Sequence, residues 1–188
     1  GISGLYLEYN NLHAAARHLE RSQELRERTG KLHNNYRWNI AMAQLSEAKG
    51  DLKESLSFLL KAERLFKSDF FPNVRPASAW KARVWIKQGN VNDALDWARE
   101  MTLSVQDNLS YLREFEHITF ARVLLAQYKR NRRNHSITEI VEYLKRLLHA
   151  AEKGERTGSA IEILILQALA FDMQGDRPAA LVPLERAV

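Results

Sequence analysis

Apolar residues recur at helical spacing in four segments, residues 38–49, 77–88, 115–128 and 159–174. The first carries Ile40, Met42, Ala43 and Leu45; the second Ala79, Ala82, Val84, Trp85 and Ile86. The third carries Ile118, Phe120, Ala121, Val123, Leu124 and Leu125, and the fourth Ile161, Ile163, Leu164, Ile165 and Leu166. This spacing predicts amphipathic or buried helices, and strand-like alternation is absent. A second pattern recurs between them: a turn pair, an apolar residue, two polar residues, a small residue, then a new apolar face. Its copies are NNLHAAARHLERS from Asn10, GDLKESLSFLLKA from Gly50, GNVNDALDWAREM from Gly89, HSITEIVEYLKRL from His135 and GDRPAALVPLERA from Gly175. Their starts are 40, 39, 46 and 40 residues apart.

Each copy has a physical reading. Gly or Asn at the turn tolerates the left-handed conformation that ends one helix. The Asp, Asn or Ser after it caps the next. The small residue (Ala15, Ser55, Ala94 or Ala180) lets the two helices approach closely, and Ile140 in the fourth copy departs from that rule. The predicted unit is a helix hairpin of about 40 residues. Such units cannot bury their apolar faces alone. The expected fold is therefore all-α: about nine or ten helices in about five stacked antiparallel hairpins, forming a right-handed superhelical solenoid with a concave and a convex side. One domain is expected over residues 1–188. Two connectors interrupt the pattern: FKSDFFPNVRP at 66–76, with two prolines and two exposed-looking aromatics, and YKRNRRNHS at 128–136.

Composition narrows the function classes. With 8 Gly and 4 Pro, the chain is not a collagen, a Pro-rich protein or a flexible linker. Cysteine is absent, which excludes disulfide scaffolds, Cys-zinc sites, Fe–S clusters and thiol nucleophiles, and suits a reducing cytoplasm. No apolar run approaches a membrane span, and no secretory signal opens the chain. A cytoplasmic location follows as the expectation. The chain starts without Met in an apolar segment and stops inside a helical pattern, so a piece of a longer protein is expected. The net charge of +5 is local, because Lys129, Arg130, Arg132 and Arg133 supply four of those charges. That cluster is either a phosphate or acidic-partner contact or a solvated loop, and the loop is the favoured reading.

The turn-centred pattern resembles the tetratricopeptide repeat (TPR). Gly50–Ser55–Ala62, Gly89–Ala94–Met101 and Gly175–Ala180–Ala187 fill its turn, small and later positions, and Ala43, Ala82, Ala121 and Ala168 fill the upstream small position. The period departs from that repeat, which has 34 residues, and the aromatic-leucine opening is weak. The stretches GDLKESLSFLLKAERLF, DFFPNVRP, LDWAREM, LSYLREFEHITFARVLLAQY, RTGSAIEILILQALA and GDRPAALVPLERA are together similar to the solenoid of large LuxR-type, MalT-like, ATP-dependent transcriptional activators. The similarity spans roughly residues 36–188. It implies a longer regulator with an NTPase module upstream, a helical linker, this solenoid as sensor, and a DNA-binding helix-turn-helix downstream. DNA and ATP are then contacted only through those other domains. The chain itself contains no GxxxxGK[ST] loop and no helix-turn-helix signature.

No catalytic or metal constellation stands out. The six histidines (His13, His18, His33, His117, His135 and His149) include no i,i+4 pair with an acidic third ligand. GERTGS at 154–159 reads as a turn between repeats, because it lacks the Lys-Ser/Thr of a phosphate loop and follows no strand. Asn108 and Asn134 match a glycosylation pattern that carries no meaning without a secretory signal. The chain is read as non-enzymatic, with no cofactor.

In repeats of the resembled kind, the first helix of each hairpin lines the groove. Counting about six residues upstream of each turn gives Gln44, Arg83, Arg122 and Leu169, with Arg37, Ile40, Glu47, Ala79, Lys87, Ile118 and Asp172 as neighbours. Arg83 and Arg122 are equivalent in adjacent repeats and are expected about 10 Å apart, a helix-to-helix distance. Two guanidinia so spaced suit a carboxylate, a phosphate or an acidic peptide. Trp38, Trp80 and Trp85 either stack on a sugar or ring or fill the hairpin cores. The arginines either meet a ligand or pair with Glu47, Glu114 or Glu116. The candidate groove is thus Arg37, Gln44, Trp80, Arg83, Lys87 and Arg122. The expected partner is a small-molecule inducer or a regulatory protein, whose binding moves the regulator toward a DNA-binding, self-associating state. The alternatives are a TPR scaffold that docks a protein or peptide, and a spacer between active domains.

Overall fold

The computed structural model describes residues 2–29, 32–66, 73–131 and 136–188. Arg132 and Arg133 of the basic cluster, Asn134 and His135, and Phe70 and Phe71 of the first connector lie outside the described residues. Among those described, the chain forms ten α-helices and no strand. They are α1 (Ile2–Glu8), α2 (Leu12–Thr29), α3 (Leu32–Ala48), α4 (Leu52–Leu65) and α5 (Ala77–Gln88). There follow α6 (Val91–Glu100), α7 (Glu114–Arg130), α8 (Ile137–Lys153), α9 (Thr157–Gln174) and α10 (Arg177–Ala187). The all-α reading holds. The helix expected over 38–49 begins earlier, at Leu32, and a short helix, α1, precedes the first turn.

The turns follow the chemistry read from the sequence. Gly50, Gly89 and Gly175 have φ of 85°, 82° and 86°, and Asn10 has φ 54°. At Gly50 the amide of Asp51 donates to the Ser46 carbonyl at 2.9 Å, and that of Gly50 to the Glu47 carbonyl at 3.0 Å. The same pair of bonds forms at Gly175, to Phe171 and Asp172. This arrangement satisfies carbonyls that the ending helix leaves open. The next helix is then capped. The Asp51 carboxylate accepts from the Glu54 amide at 2.9 Å, and Asp176 accepts from the Ala179 amide at 3.0 Å. Asn11 caps α2 in the same way, on Ala14, whereas Asn90 and Ser136, expected to cap the helices at 91–100 and 137–153, form no side-chain cap. The first half of GERTGS is the turn as read, with Glu155 left-handed at φ 53° and the Arg156 amide returning to the Ala151 carbonyl, while Thr157, Gly158 and Ser159 already form the first turn of α9.

The helices fall into two compact units, residues 1–72 with 76–88, and residues 73–75 with 89–188. In the first, α1 packs on α2, α2 on α3, α3 on α4 and α4 on α5. One apolar cluster joins Ala15, Leu19 and Leu45, with Tyr6, Leu7 and Trp38 against it. A second joins Ala43, Leu59 and Val84, with Ile40, Leu56, Phe58 and Trp80. In the second unit α7 packs on α6, α8 and α9, α8 on α9, and α9 on α10. Its core includes Ile118, Val123, Leu124, Ile140, Leu144 and Ile163. Arg75, from the connector, lies over the Phe115 ring at 5.6 Å. The small positions Ala15, Ser55 and Ala94 are fully buried, as is Ile140, the residue that breaks the small-residue rule.

Between α6 and α7 runs a segment, residues 101–113, that no repeat requires. Two side chains pin it. The Arg146 guanidinium of α8 donates to the carbonyls of Val105 and Asp107 (2.7 Å to the latter), and Arg113 donates to the Met101 carbonyl at 2.8 Å. The segment ends in a 3-10 turn, Tyr111–Arg113, that leads into α7.

Candidate functional site

Five of the six candidate groove residues belong to the first unit. Arg37 and Gln44 lie on α3, Arg37 exposed and Gln44 half-buried. Trp80, Arg83 and Lys87 lie on α5 at spacings of three and four, which places them along one helix face. The Arg83 guanidinium stands 5.5 Å from the centre of the Trp80 ring, a cation–π contact. Lys87 Nζ meets Glu47 of α3 at 2.6 Å, so the basic end of α5 is tied to the acidic end of α3. The tryptophans divide. Trp38 Nε1 donates to the Leu19 carbonyl at 3.0 Å, and its ring meets Phe58 edge-on at 5.7 Å, so it packs within the fold. Trp85 carries Lys81 over its ring at 5.3 Å.

Arg122 belongs to the second unit. Its Nε donates to Glu162 of α9 at 2.9 Å, an acidic partner other than the three the sequence brought forward. Glu114 instead pairs with Arg156, and Glu116 with Arg113 at 3.2 Å. Ala79 and Ile118, expected beside the open face, are buried at 0% and 2% exposure. The first helices are covered on more than one side, and a residue four positions before an arginine falls under the neighbouring helix. Toward the C-terminus that line becomes apolar: Ile161, Ile165 and Leu169 follow each other at four-residue steps and are 38%, 41% and 46% exposed.

The second unit also holds a polar cluster that periodicity does not mark. Glu114, at the start of α7, is buried and accepts on both carboxylate oxygens: from Arg156 Nε at 2.6 Å and from Ser159 Oγ at 2.6 Å. Arg156 donates also to the Ala150 carbonyl and lies over the Tyr111 ring at 5.6 Å. One turn along α7, His117 is 1% exposed and its Nδ1 sits 2.7 Å from the Tyr143 hydroxyl. Burial pushes the His117 imidazole below its ordinary value and the Tyr143 phenol above its own. A cavity of about 260 Å³ opens beside them. The sequence signals for this cluster are faint, because its members stand 26 to 45 residues apart and obey no repeat. Among the described residues no group of three or more His, Asp or Glu side chains converges as for a metal ion. No described helix is long and apolar enough to cross a membrane.

This arrangement of helix hairpins has known counterparts. Two crystal structures of nearly identical TPR-like repeats, from a Podosopora anserina chain described as a kinesin light chain, are similar to it. One of them, a point variant of that chain, aligns with a TM-score of 0.57 at 18% identity, covering 99% of this chain and 89% of that one. The other aligns with a TM-score of 0.56 at 18% identity, covering 99% and 90%. At that identity the likeness shows the fold, a TPR-like helical repeat. No curated protein matches the sequence. The family described as MalT-like TPR region matches residues 1–188, the whole chain. The chain therefore belongs to the MalT-like TPR region family.

Proposed function

We propose that this chain is the effector-sensing solenoid of a LuxR-family, MalT-like transcriptional regulator, taking up an inducer or a regulatory protein and thereby controlling DNA binding by the full-length protein. The observation that carries the reading is the family match over residues 1–188. A helical repeat scaffold of this kind typically works by binding partners rather than by catalysis. The mechanism is a population shift. An effector that binds better in one curvature of the repeat stack biases the regulator toward its self-associating, DNA-binding state. It can bias that equilibrium only by as much as its affinities for the two states differ.

Within this reading, the effector contacts are Arg37, Gln44, Trp80, Arg83 and Lys87 on the first unit and Arg122 on the second. Arg83 stacked on Trp80 offers a flat cationic surface suited to a carboxylate or a sugar ring. The test is the double variant Arg83→Ala, Arg122→Ala in the full-length regulator, read as effector-dependent transcription. Loss of the response with a melting temperature lowered by no more than a few degrees is expected. An unchanged response would remove both residues from the site.

A second reading is a TPR scaffold that docks a protein or peptide. The exposed apolar line of Ile161, Ile165 and Leu169 favours it, because a helix laid along four-residue steps would find matched contacts there.

A further inference from the structure

The last hairpin repeats a groove that the chain fills elsewhere. In the first unit α5 packs on α4 and reaches α3 through its side chains. Its Trp80 and Val84 join the apolar cluster of Ile40, Ala43, Leu56 and Leu59, and its Lys87 pairs with Glu47 at 2.6 Å. Trp80, Val84 and Lys87 follow at steps of four and three, so one stripe of α5 makes these contacts. Counted from the turn glycines, Gly50 and Gly175, the α9–α10 hairpin reproduces that groove. Ile165, Ala168 and Asp172 of α9 stand where Ile40, Ala43 and Glu47 stand in α3. Leu181 and Leu184 of α10 stand where Leu56 and Leu59 stand in α4. Four of these five are the same residue, and the fifth keeps its negative charge.

In the last hairpin the groove is open. Ile165, Leu181 and Leu184 are 41%, 58% and 41% exposed, against 1% for Leu59. Asp172 is exposed, and among the described residues its carboxylate has no partner. The α7–α8 hairpin of the same unit shows the filled form. There α9 packs on both helices, and Ile118, Ala121, Val141 and Leu144, in the same register, are buried. At the place of Glu47 that hairpin has Leu125, and at the place of Lys87 its occupant has Met173. The residue at this point of the groove thus matches the residue at the corresponding point of the helix that fills it.

We propose that the α9–α10 groove docks an amphipathic helix of a partner protein that carries the stripe of α5: a large apolar residue, a second four positions on, and Lys or Arg three positions further, beside Asp172. The charge of Asp172 selects the basic residue, as Glu47 does for Lys87. It also selects against a second copy stacked end to end. The other exposed apolar helix face is that of Ile2 and Leu5 on α1, which carries Glu8 at the place of Lys87, two positions before its turn. That face would set a carboxylate against Asp172.

The probe is a synthetic peptide with the sequence of α5, Ala77–Gln88, stapled on the side opposite its stripe because so short a helix is marginal alone in water. It is titrated calorimetrically into the purified chain. Saturable one-to-one binding is expected. Leu184→Glu in the chain, or Val84→Glu in the peptide, should weaken it about tenfold or more. Asp172→Lys should weaken the parent peptide about threefold to fivefold, and Lys87→Glu in the peptide should restore binding to that variant. Leu184 and Asp172 are exposed, so both variants of the chain should melt like the parent; if Leu184→Glu does not fold, the charge swap decides. Absence of saturation up to about 1 mM peptide, binding that survives Leu184→Glu undiminished, or a charge swap that restores nothing would overturn the proposal. Without peptide the chain should sediment as a monomer, and a dimer dispersed by Leu184→Glu would overturn the proposal by giving the groove to a second copy. The full-length protein should bind the peptide equally well; loss of binding there would give the groove to the polypeptide's own helix and overturn it too. Since this partner rests on the reading of the chain as a docking scaffold, the test separates the two. A protein that binds the chain and ignores Leu184→Glu leaves that reading standing and overturns the groove.

Discussion

Glu47 and Lys87 stand 40 residues apart in the chain and 2.6 Å apart in space. Arg122 and Glu162 repeat the relationship in the second unit, again 40 residues apart and at 2.9 Å. The separation equals the repeat period, because the first helix of one hairpin lies beside the first helix of the next. Each pair thus links neighbouring repeats along the helices that carry the proposed effector contacts. An effector that draws Lys87 or Arg122 away from its glutamate would loosen one repeat from the next.

These links are partly solvated, and their stability contribution is correspondingly small. The side chains are 57% and 14% exposed in the first pair and 35% and 23% in the second. Lys87→Ala and Arg122→Ala should each cost less than about 1 kcal/mol in chemical denaturation. A double-mutant cycle on Arg122 and Glu162 should return a coupling of the same order. A loss of several kcal/mol would show that the pairs hold the fold, and would disqualify these variants as functional probes.

Glu114 and Arg156 behave differently, since the Glu114 side chain is largely buried, at 10% exposure. Arg156→Met should leave the carboxylate with only Ser159 and destabilise the chain by about 3 kcal/mol. Glu114→Gln, which keeps an oxygen for Ser159, should cost less. Urea denaturation of the two variants checks the order; Glu114→Gln being the worse of the two would contradict it.

The repeat's small position makes opposite predictions in different copies. Ala94 is fully buried, so Ala94→Leu should overpack the site and cost about 1–3 kcal/mol. Ile140 fills the equivalent place in the fourth copy, so Ile140→Ala should open a cavity and cost about 2–5 kcal/mol. Melting curves compare the two; an Ile140→Ala variant as stable as the parent would show that the site collapses without loss.

His117 predicts a dependence on pH. Its folded-state value lies below the ordinary 6.5, chiefly through burial, with the nearby carboxylate of Asp107 opposing and Arg113 and Arg146 reinforcing the shift. Above pH 6.5 the ring is neutral in both folded and unfolded chains and contributes no pH dependence. Below it the unfolded chain takes up a proton that the folded chain resists, so stability falls as the pH drops below 6.5 and levels off only beneath the folded value. His117→Asn should flatten that part of the profile, measured as melting temperature against pH. An equally steep fall in the variant would assign the effect to other groups.

The repeat was legible in the sequence because its determinants are local. Gly50 and Gly175 announce left-handed turns, Asp51 and Asp176 announce caps, and Ala15, Ser55 and Ala94 announce close helix approach. All of these act within five residues. Helix ends that lack such signals were less legible: Leu32 starts α3 six residues before the expected start at Trp38, and α1 precedes the first turn with no marked face. The polar cluster was not legible, because the contacts from Glu114 to Arg156, from His117 to Tyr143 and from Arg146 to the 101–113 segment join residues 26 to 42 positions apart. Nothing in the composition of GERTGS or of an isolated histidine encodes the partner that folding brings to it. The basic residues of the proposed groove fall between these cases. Their helix faces follow from counting back from the turns, whereas the glutamates that meet Lys87 and Arg122 follow from the packing of successive repeats.

The most direct test of effector sensing is the melting temperature of this chain across a panel of sugars, organic acids, nucleotides and candidate regulatory proteins. An effector present at about 100 times its dissociation constant should stabilise the fold by about 2.7 kcal/mol, raising the midpoint by roughly 5–10 °C for a chain of this length. The account predicts at least one such shift, lost in the Arg83→Ala, Arg122→Ala variant. A flat response across the whole panel, or a shift that survives the double substitution undiminished, would contradict it.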